Sequence, residues 1–126
     1  MSAEPRSLLV HARALLDGEA ASSIRAWPRA CALLTRQALE ELLACHWTQL
    51  GWTGLTDASA RSQLICLATL EDTPLTGSVT VTWIELSNAC HLHAYELAPT
   101  ADELLRWIEV VESFATQVAS PSPAGN

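Results

Sequence analysis

The sequence predicts an all-α protein, an up-and-down helical bundle of about five helices. Apolar residues recur every three or four positions over most of the chain, which is the spacing of helices with one buried face. Glycines and prolines separate the segments that carry this spacing. With 126 residues, 49% of them hydrophobic, the chain suits one core. We therefore expect a single helical-bundle domain over residues 1–119 and a disordered tail over residues 120–126.

The first two helices are predicted from their apolar spacing and from the residues at their ends. Pro5 suits the first turn of a helix, and Gly18 suits the position just after its end. A longer helix is predicted from Pro28 to about Gln49. The residues expected on its inward face are Cys31, Leu34, Ala38, Leu39, Leu42, Leu43 and Cys45.

A third helix is predicted from about Ala58 to Leu70, with Thr56 or Asp57 as the N-cap. Polar N-cap side chains accept a hydrogen bond from a free backbone N–H of the first turn. The residues expected to face inward are Ala60, Leu64, Leu67 and Ala68.

The segment over residues 75–97 carries two conflicting patterns. Val79, Thr80, Val81 and Thr82 are β-branched and alternate, which is typical of a strand. Over a longer window the apolar residues recur at helical spacing. Because the chain offers no second strand to pair with, we predict a helix that begins near Thr76 or Ser78 and continues to Leu97.

The last helix has the clearest start signal in the sequence. Thr100 and Glu103 form a capping box, in which each side chain accepts a hydrogen bond from the backbone N–H of the other residue. The residues expected on its inward face are Leu104, Ile108, Val111, Ala115 and Val118.

Charge and hydropathy disfavour two classes of partner. The formal net charge is −7, and residues 63–126 contain eight acidic residues and one arginine. Because affinity for phosphates comes chiefly from Arg and Lys, RNA is a disfavoured partner. No run approaches the ~20 apolar residues of a membrane span, and the N-terminus lacks the pattern of a signal peptide. We expect a cytoplasmic protein that binds no membrane and needs no cofactor.

The densest group of chemically active side chains lies over residues 87–97. Two of the four histidines, His91 and His93, and the only tyrosine, Tyr95, fall within five residues. On a helix His91 and Tyr95 would share a face, because they are four residues apart. A histidine held on a packed helix is a candidate general acid or base, and the alternative is a structural histidine.

The segment from Asn88 to Tyr95 resembles the motif of the HEPN superfamily (higher eukaryote and prokaryote nucleotide-binding domains). Members are small helical bundles that are commonly dimeric, and their motif combines an arginine with a histidine that many bacterial members follow with a tyrosine two residues later. Here His93 and Tyr95 match the histidine and the tyrosine. Asn88, or Ser87 if one spacer residue is added, stands where the family has its arginine. The resemblance implies that His93, Tyr95 and Asn88 occupy the positions of a ribonuclease site.

Replacement of the family arginine by Asn88 favours a degenerate site. In the family, the arginine is thought to hold the scissile phosphate, and loss of one such electrostatic stabiliser costs on the order of 10²–10³ in rate. The resemblance then implies a dimerisation or interaction module of a bacterial conflict or toxin–antitoxin-type system. The alternative is a metal-independent ribonuclease that uses His93 as acid or base, with an arginine such as Arg29 or Arg36 supplied by another helix.

Five tryptophans are more than one small core needs, which favours a homodimer or another protein partner. We expect Trp83, Trp107 and His91 to contribute to binding, and plain core packing is the alternative for both tryptophans. We also considered a zinc site built from Cys90, His91 and His93, with Cys45 and His46 as further candidate ligands. Neighbouring ligands on one helix point apart, so we predict no metal site.

Overall fold

The computed structural model describes residues 4–18, 27–91 and 97–119 of the chain. These residues form five α-helices and no strand, which confirms the predicted all-α bundle. The helices are α1 (Pro5–Asp17), α2 (Trp27–Gln49), α3 (Ala60–Leu70), α4 (Pro74–Cys90) and α5 (Ala101–Ala119), with a short 3₁₀ helix (Thr53–Asp57) between α2 and α3. The predicted tail over residues 120–126 lies outside the described residues.

Helix α2 is the centre of the bundle, because it packs against each of the other four helices. Helices α1, α4 and α5 surround it, whereas α3 packs against α4 and α2 at the periphery. The largest side chains that are fully buried are Trp47, Phe114, Leu39, Leu43, Leu67, Leu86, Leu104 and Ile108. The core therefore lies around α2, and the far side of α3 has no helix over it in the described chain.

The observed start of α3 corrects the prediction. The hydroxyl of Ser59 accepts a hydrogen bond from the backbone N–H of Ser62 at 3.1 Å, so Ser59 is the N-cap. Thr56 and Asp57 belong instead to the preceding 3₁₀ helix. Several polar residues in this stretch could have capped a helix, and the sequence alone did not distinguish among them.

Helix α4 confirms the choice of helix over strand for Val79–Thr82 but begins earlier than predicted. Thr73 is its N-cap, with its hydroxyl accepting from the N–H of Thr76 at 3.2 Å. Pro74 occupies the first turn, where the missing N–H costs no hydrogen bond. Three residues, 71–73, join α3 to α4, so the two helices pack as an antiparallel hairpin.

The end of α4 is the main correction to the sequence analysis. The helix ends at Cys90 rather than Leu97, and Leu97 lies in a non-helical segment with 93% of its surface exposed. His91 follows the helix with φ −110° and ψ 27°, outside the helical region. Because His91 is not helical, it does not belong to the helical face that it was predicted to share with Tyr95.

Two residues predicted to face inward, Cys45 and Ala68, are exposed. The buried side of α2 passes through His46 and Trp47 near its end, which leaves Cys45 outside. Helix α3 buries only a narrow face because it has two neighbours, and Ala68 lies beside that face. Within the described ranges, no helix combines the length and the hydropathy that crossing a bilayer requires.

Candidate functional site

The predicted catalytic residues are only partly within the described chain. His93 and Tyr95 lie outside the described residues. Asn88 is exposed in the last turn of α4, and His91 is exposed just after it. The described part of the motif is therefore a surface feature at the end of one helix.

Arg29 brings a positive charge to this helix end. Its Nη2 atom donates a hydrogen bond to the carbonyl oxygen of Cys90 at 3.0 Å. That carbonyl belongs to the last turn of α4, where backbone oxygens lack helical partners and a cation is favourable. Arg29 is one of the two arginines expected as substitutes for the motif arginine, and it lies beside the residue that precedes His91.

Arg36, the other expected substitute, is held by side chains of α2 and α4. Its Nε lies 3.2 Å from Oε2 of Glu40, and its guanidinium carbon lies 5.7 Å from the ring centre of Trp83. The indole N–H of Trp83 donates to the same carboxylate oxygen at 3.2 Å. These three side chains form a cluster that fixes the orientation of the Trp83 ring, and we call it the Trp83 clamp.

The thiol of Cys90 is close to both arginines. Burial raises its pKa, and the guanidinium groups of Arg36 and Arg29 act in the opposite direction. The thiol is buried, so Cys90 has the character of a small core residue rather than of an exposed nucleophile.

Asn88 and Trp107 lie on the same surface cavity, at the contact of α4 with α5. This cavity of about 340 Å³ also contacts the carboxylates of Glu85 and Glu103. Trp107 is only 4% exposed, and its indole N–H donates to Oε1 of Glu85 at 2.9 Å. In the single chain, Trp107 is thus mostly a core residue with a satisfied polar group.

A second cavity, which we call the α3–α4 groove, has a volume of about 350 Å³ and contains Trp83. Its lining is mainly apolar and consists of Arg61, Leu64, Ile65, Ala68, Thr69, Thr80, Trp83 and Ile84. Ile65 is 62% exposed and Ile84 is 48% exposed, and the neighbouring Val81 is also exposed. The groove therefore presents large aliphatic side chains to solvent together with a half-buried indole.

Ile65, Ile84 and Arg61 are functional candidates that were not predicted from the sequence. One signal was present, because α4 carries apolar residues on more than one face: Val79 and Leu86 face the core, while Val81 and Ile84 face outward. A helix that is apolar on two opposite faces is expected to be covered by protein on both faces. The prediction assumed one inward face for α4 and so did not account for the outward one.

The described residues do not bring together a metal site. No group of three or more His, Cys, Asp or Glu side chains in these ranges is arranged to hold an ion. His46 is instead paired with Glu71, with 2.6 Å between Nε2 and Oε2. Cys45, its neighbour in sequence, lies on the exposed side of α2.

Comparison with known proteins yields no assignment for this fold or site. No protein-family model matches the chain, and neither curated proteins nor solved structures give a significant match.

Proposed function

We propose that this chain is a HEPN-like dimerisation and interaction module with a degenerate active site. The observation that carries the proposal is the α3–α4 groove, where Ile65 and Ile84 stay exposed and line the same cavity as Trp83. A role in a bacterial conflict or toxin–antitoxin-type system is the part of the proposal that follows from the resemblance of Asn88–Tyr95 alone.

Burial of the groove residues supplies the driving force for association. Full burial of an isoleucine side chain contributes about 1.5–3 kcal/mol, and a two-fold dimer buries each residue twice. Trp83 is suited to be the central anchor, since buried aromatic residues dominate the binding energy of many interfaces. The Trp83 clamp already fixes the indole, so little side-chain entropy remains to be lost on binding.

The charge distribution agrees with association at this surface. The chain carries a formal charge of −7, which disfavours contact between two copies over most of the surface. Within the described ranges, Arg61 is the only charged residue that lines the groove. Two copies can therefore meet there without placing carboxylates against each other in the groove.

Light scattering after size exclusion tests the dimer. We expect the wild-type mass to rise with concentration toward twice 13.6 kDa. Ile84→Glu should keep the mass of one chain, because a carboxylate would be desolvated in the interface. Val10→Glu is the matched control, since Val10 is 65% exposed on α1, which packs on α2 and α5 rather than beside the groove.

A wild-type protein that stays monomeric at high micromolar concentration would contradict the proposal. An equal loss of dimer in Val10→Glu and Ile84→Glu would also contradict it, because association would then not depend on the groove. Circular dichroism of both variants, with the helical signal unchanged, establishes that the comparison is between folded proteins.

Metal-independent RNA cleavage is the second candidate function, and the hydrogen bond from Arg29 to Cys90 favours it. The contact at 3.0 Å holds a guanidinium beside the end of α4, where the family motif needs a positive charge. The remaining N–H groups of Arg29 could then bind a phosphate, as guanidinium groups do with good geometry. His93 would act as the acid or base.

The test is cleavage of a mixed RNA pool in EDTA. Under the ribonuclease hypothesis, His93→Ala and Arg29→Gln both lose activity, while Arg6→Gln, which removes an exposed charge on α1, retains it. Absence of cleavage by the wild-type chain would reject this candidate and leave the interaction module.

A further inference from the structure

The outward face of α3 has a directional charge pattern. Arg61, Ile65 and Ala68 are separated by four and three residues, so they share one helix face, and all three are exposed. Asp72, also exposed, lies two residues beyond Leu70, the last residue of α3. The face is thus positive at its start and apolar in the middle, and an exposed carboxylate lies just past the end of the helix.

Both charges lack a partner in the described chain. Neither Arg61 nor Asp72 forms an ion pair with another described residue. Glu71, the acidic neighbour of Asp72, is already engaged by His46 at 2.6 Å and by Gln117 at 3.4 Å. Asp72 is therefore the carboxylate at this end of the hairpin that stays available to a second molecule.

The dipole of α3 disfavours the charge of Arg61, whereas Asp72 lies between the C-terminus of α3 and the N-terminus of α4, whose dipole ends act on its carboxylate in opposite directions. A cation in the first turn of a helix, as Arg61 is on α3, faces the dipole end of its own sign. The charge of Arg61 would be stabilised by the opposite end of another α3 laid antiparallel to the first.

A two-fold axis through the middle of α3 satisfies these requirements together. In a symmetric dimer, residue i of one copy meets residue j of the other, and j meets i. Antiparallel α3 helices would place Arg61 of each copy opposite Asp72 of the other. The two resulting pairs would lie at opposite ends of a helix of 11 residues, which is about 16 Å long. Ile65 would then pack against the small Ala68 of the second copy, whereas parallel helices would bring Arg61 against Arg61.

We propose that a second copy of this chain docks antiparallel on α3, with Arg61 of each protomer paired to Asp72 of the other. This inference rests on the proposed homodimer and specifies its geometry. The pairs lie at the rim of the apolar contact, so they set orientation more than total affinity.

Charge reversal in trans tests the geometry. Arg61→Asp and Asp72→Arg should each weaken self-association about tenfold, because both rim pairs become repulsive in each homodimer. An equimolar mixture of the two variants should dimerise about as tightly as wild type, since both pairs are attractive in the mixed dimer. A single chain that carries both Arg61→Asp and Asp72→Arg should also dimerise about as tightly as wild type. Arg6→Asp, a charge reversal at an exposed position of α1, should have little effect on self-association.

Sedimentation equilibrium on each protein and on the mixture gives the required dissociation constants. A wild-type dimer that neither single reversal weakens would overturn the antiparallel geometry while leaving the homodimer in place. Failure of the mixture to recover would also overturn it, because the effect of the reversals would then arise within each chain. A monomeric wild-type chain would reject the homodimer itself and this geometry with it.

Discussion

His46 shows how a single buried polar residue connects three parts of the bundle. It is buried near the end of α2, in ring contact with Trp47 at 5.1 Å and with Phe114 of α5 at 6.1 Å. Its Nε2 contacts Glu71, which follows α3, and Glu71 also accepts from Gln117 of α5. A polar ring among aromatic neighbours needs such a partner, since an unpaired buried polar group is costly.

Glu71→Ala should therefore destabilise the fold. We expect the free energy of unfolding to fall by about 1–3 kcal/mol, the typical cost of leaving a buried group unsatisfied. Urea denaturation followed by circular dichroism measures the change. Glu109→Ala is the control, because Glu109 is exposed on α5, and it should change the free energy by less than about 0.5 kcal/mol. Equal stability of Glu71→Ala and wild type would show that His46 does not depend on this carboxylate.

At the residue scale, the sequence predicts which side chains are buried better than it predicts their hydrogen-bond partners. The inward residues expected on α5 are all buried, because amphipathic spacing records burial directly. The contacts of His46, Trp83 and Trp107 were not predictable, since their partners Glu71, Glu40 and Glu85 lie 25, 43 and 22 residues away. Such pairs depend on how helices are placed in space, which the spacing within one helix does not encode.

Helix α5 shows how far a local signal can determine an element. The capping box predicted from Thr100 and Glu103 is formed, with the hydroxyl of Thr100 accepting at 3.1 Å and the carboxylate of Glu103 accepting at 3.0 Å. Both bonds join residues three positions apart, so the sequence contains all of the required information. The observed helix, Ala101–Ala119, begins where the box places it.

Thr100→Ala should lower the free energy of unfolding by about 1 kcal/mol, the usual effect of removing an N-cap. Thr116→Ala is the matched control, because Thr116 is exposed inside α5 and its hydroxyl bonds only to the carbonyl of Glu112. Alanine is a better helix former there, so stability should be unchanged or slightly higher. Thermal unfolding of both variants measures the difference. Equal destabilisation by the two substitutions would mean that the cap has no special role.

Helix α4 shows where local signals fail. No glycine or proline lies between Cys90 and Leu97, so the predicted helix continued to Leu97. The carbonyl of Cys90 is instead satisfied by Arg29, which is 61 residues away and belongs to α2. The end of α4 is therefore determined in part by tertiary structure, and the same contact places the charge that the ribonuclease hypothesis requires.

At the scale of the whole molecule, the arrangement of helices explains why one face remains uncovered. Helix α2 packs against all four other helices of the described chain, whereas α3 packs closely against α2 and α4 alone. The outward side of the α3–α4 hairpin thus exposes Ile65, Val81 and Ile84. Contiguous exposed apolar surface on a protein of this size commonly marks an interaction site. The sequence predicted the bundle and the candidate Trp83, but the uncovered face depends on which helices pack together.

Hydrogen–deuterium exchange of the wild-type chain at low and high protein concentration tests the central claim most directly. If two copies associate through the α3–α4 groove, amides of α3 and the outward turns of α4 should exchange more slowly at high concentration, because opening of these helices becomes less favourable in the dimer. Exchange in α1 should not change, since α1 packs on α2 and α5 and not on the α3–α4 hairpin. Concentration-independent exchange in α3 and α4, or added protection confined to α1, would contradict the proposed interface.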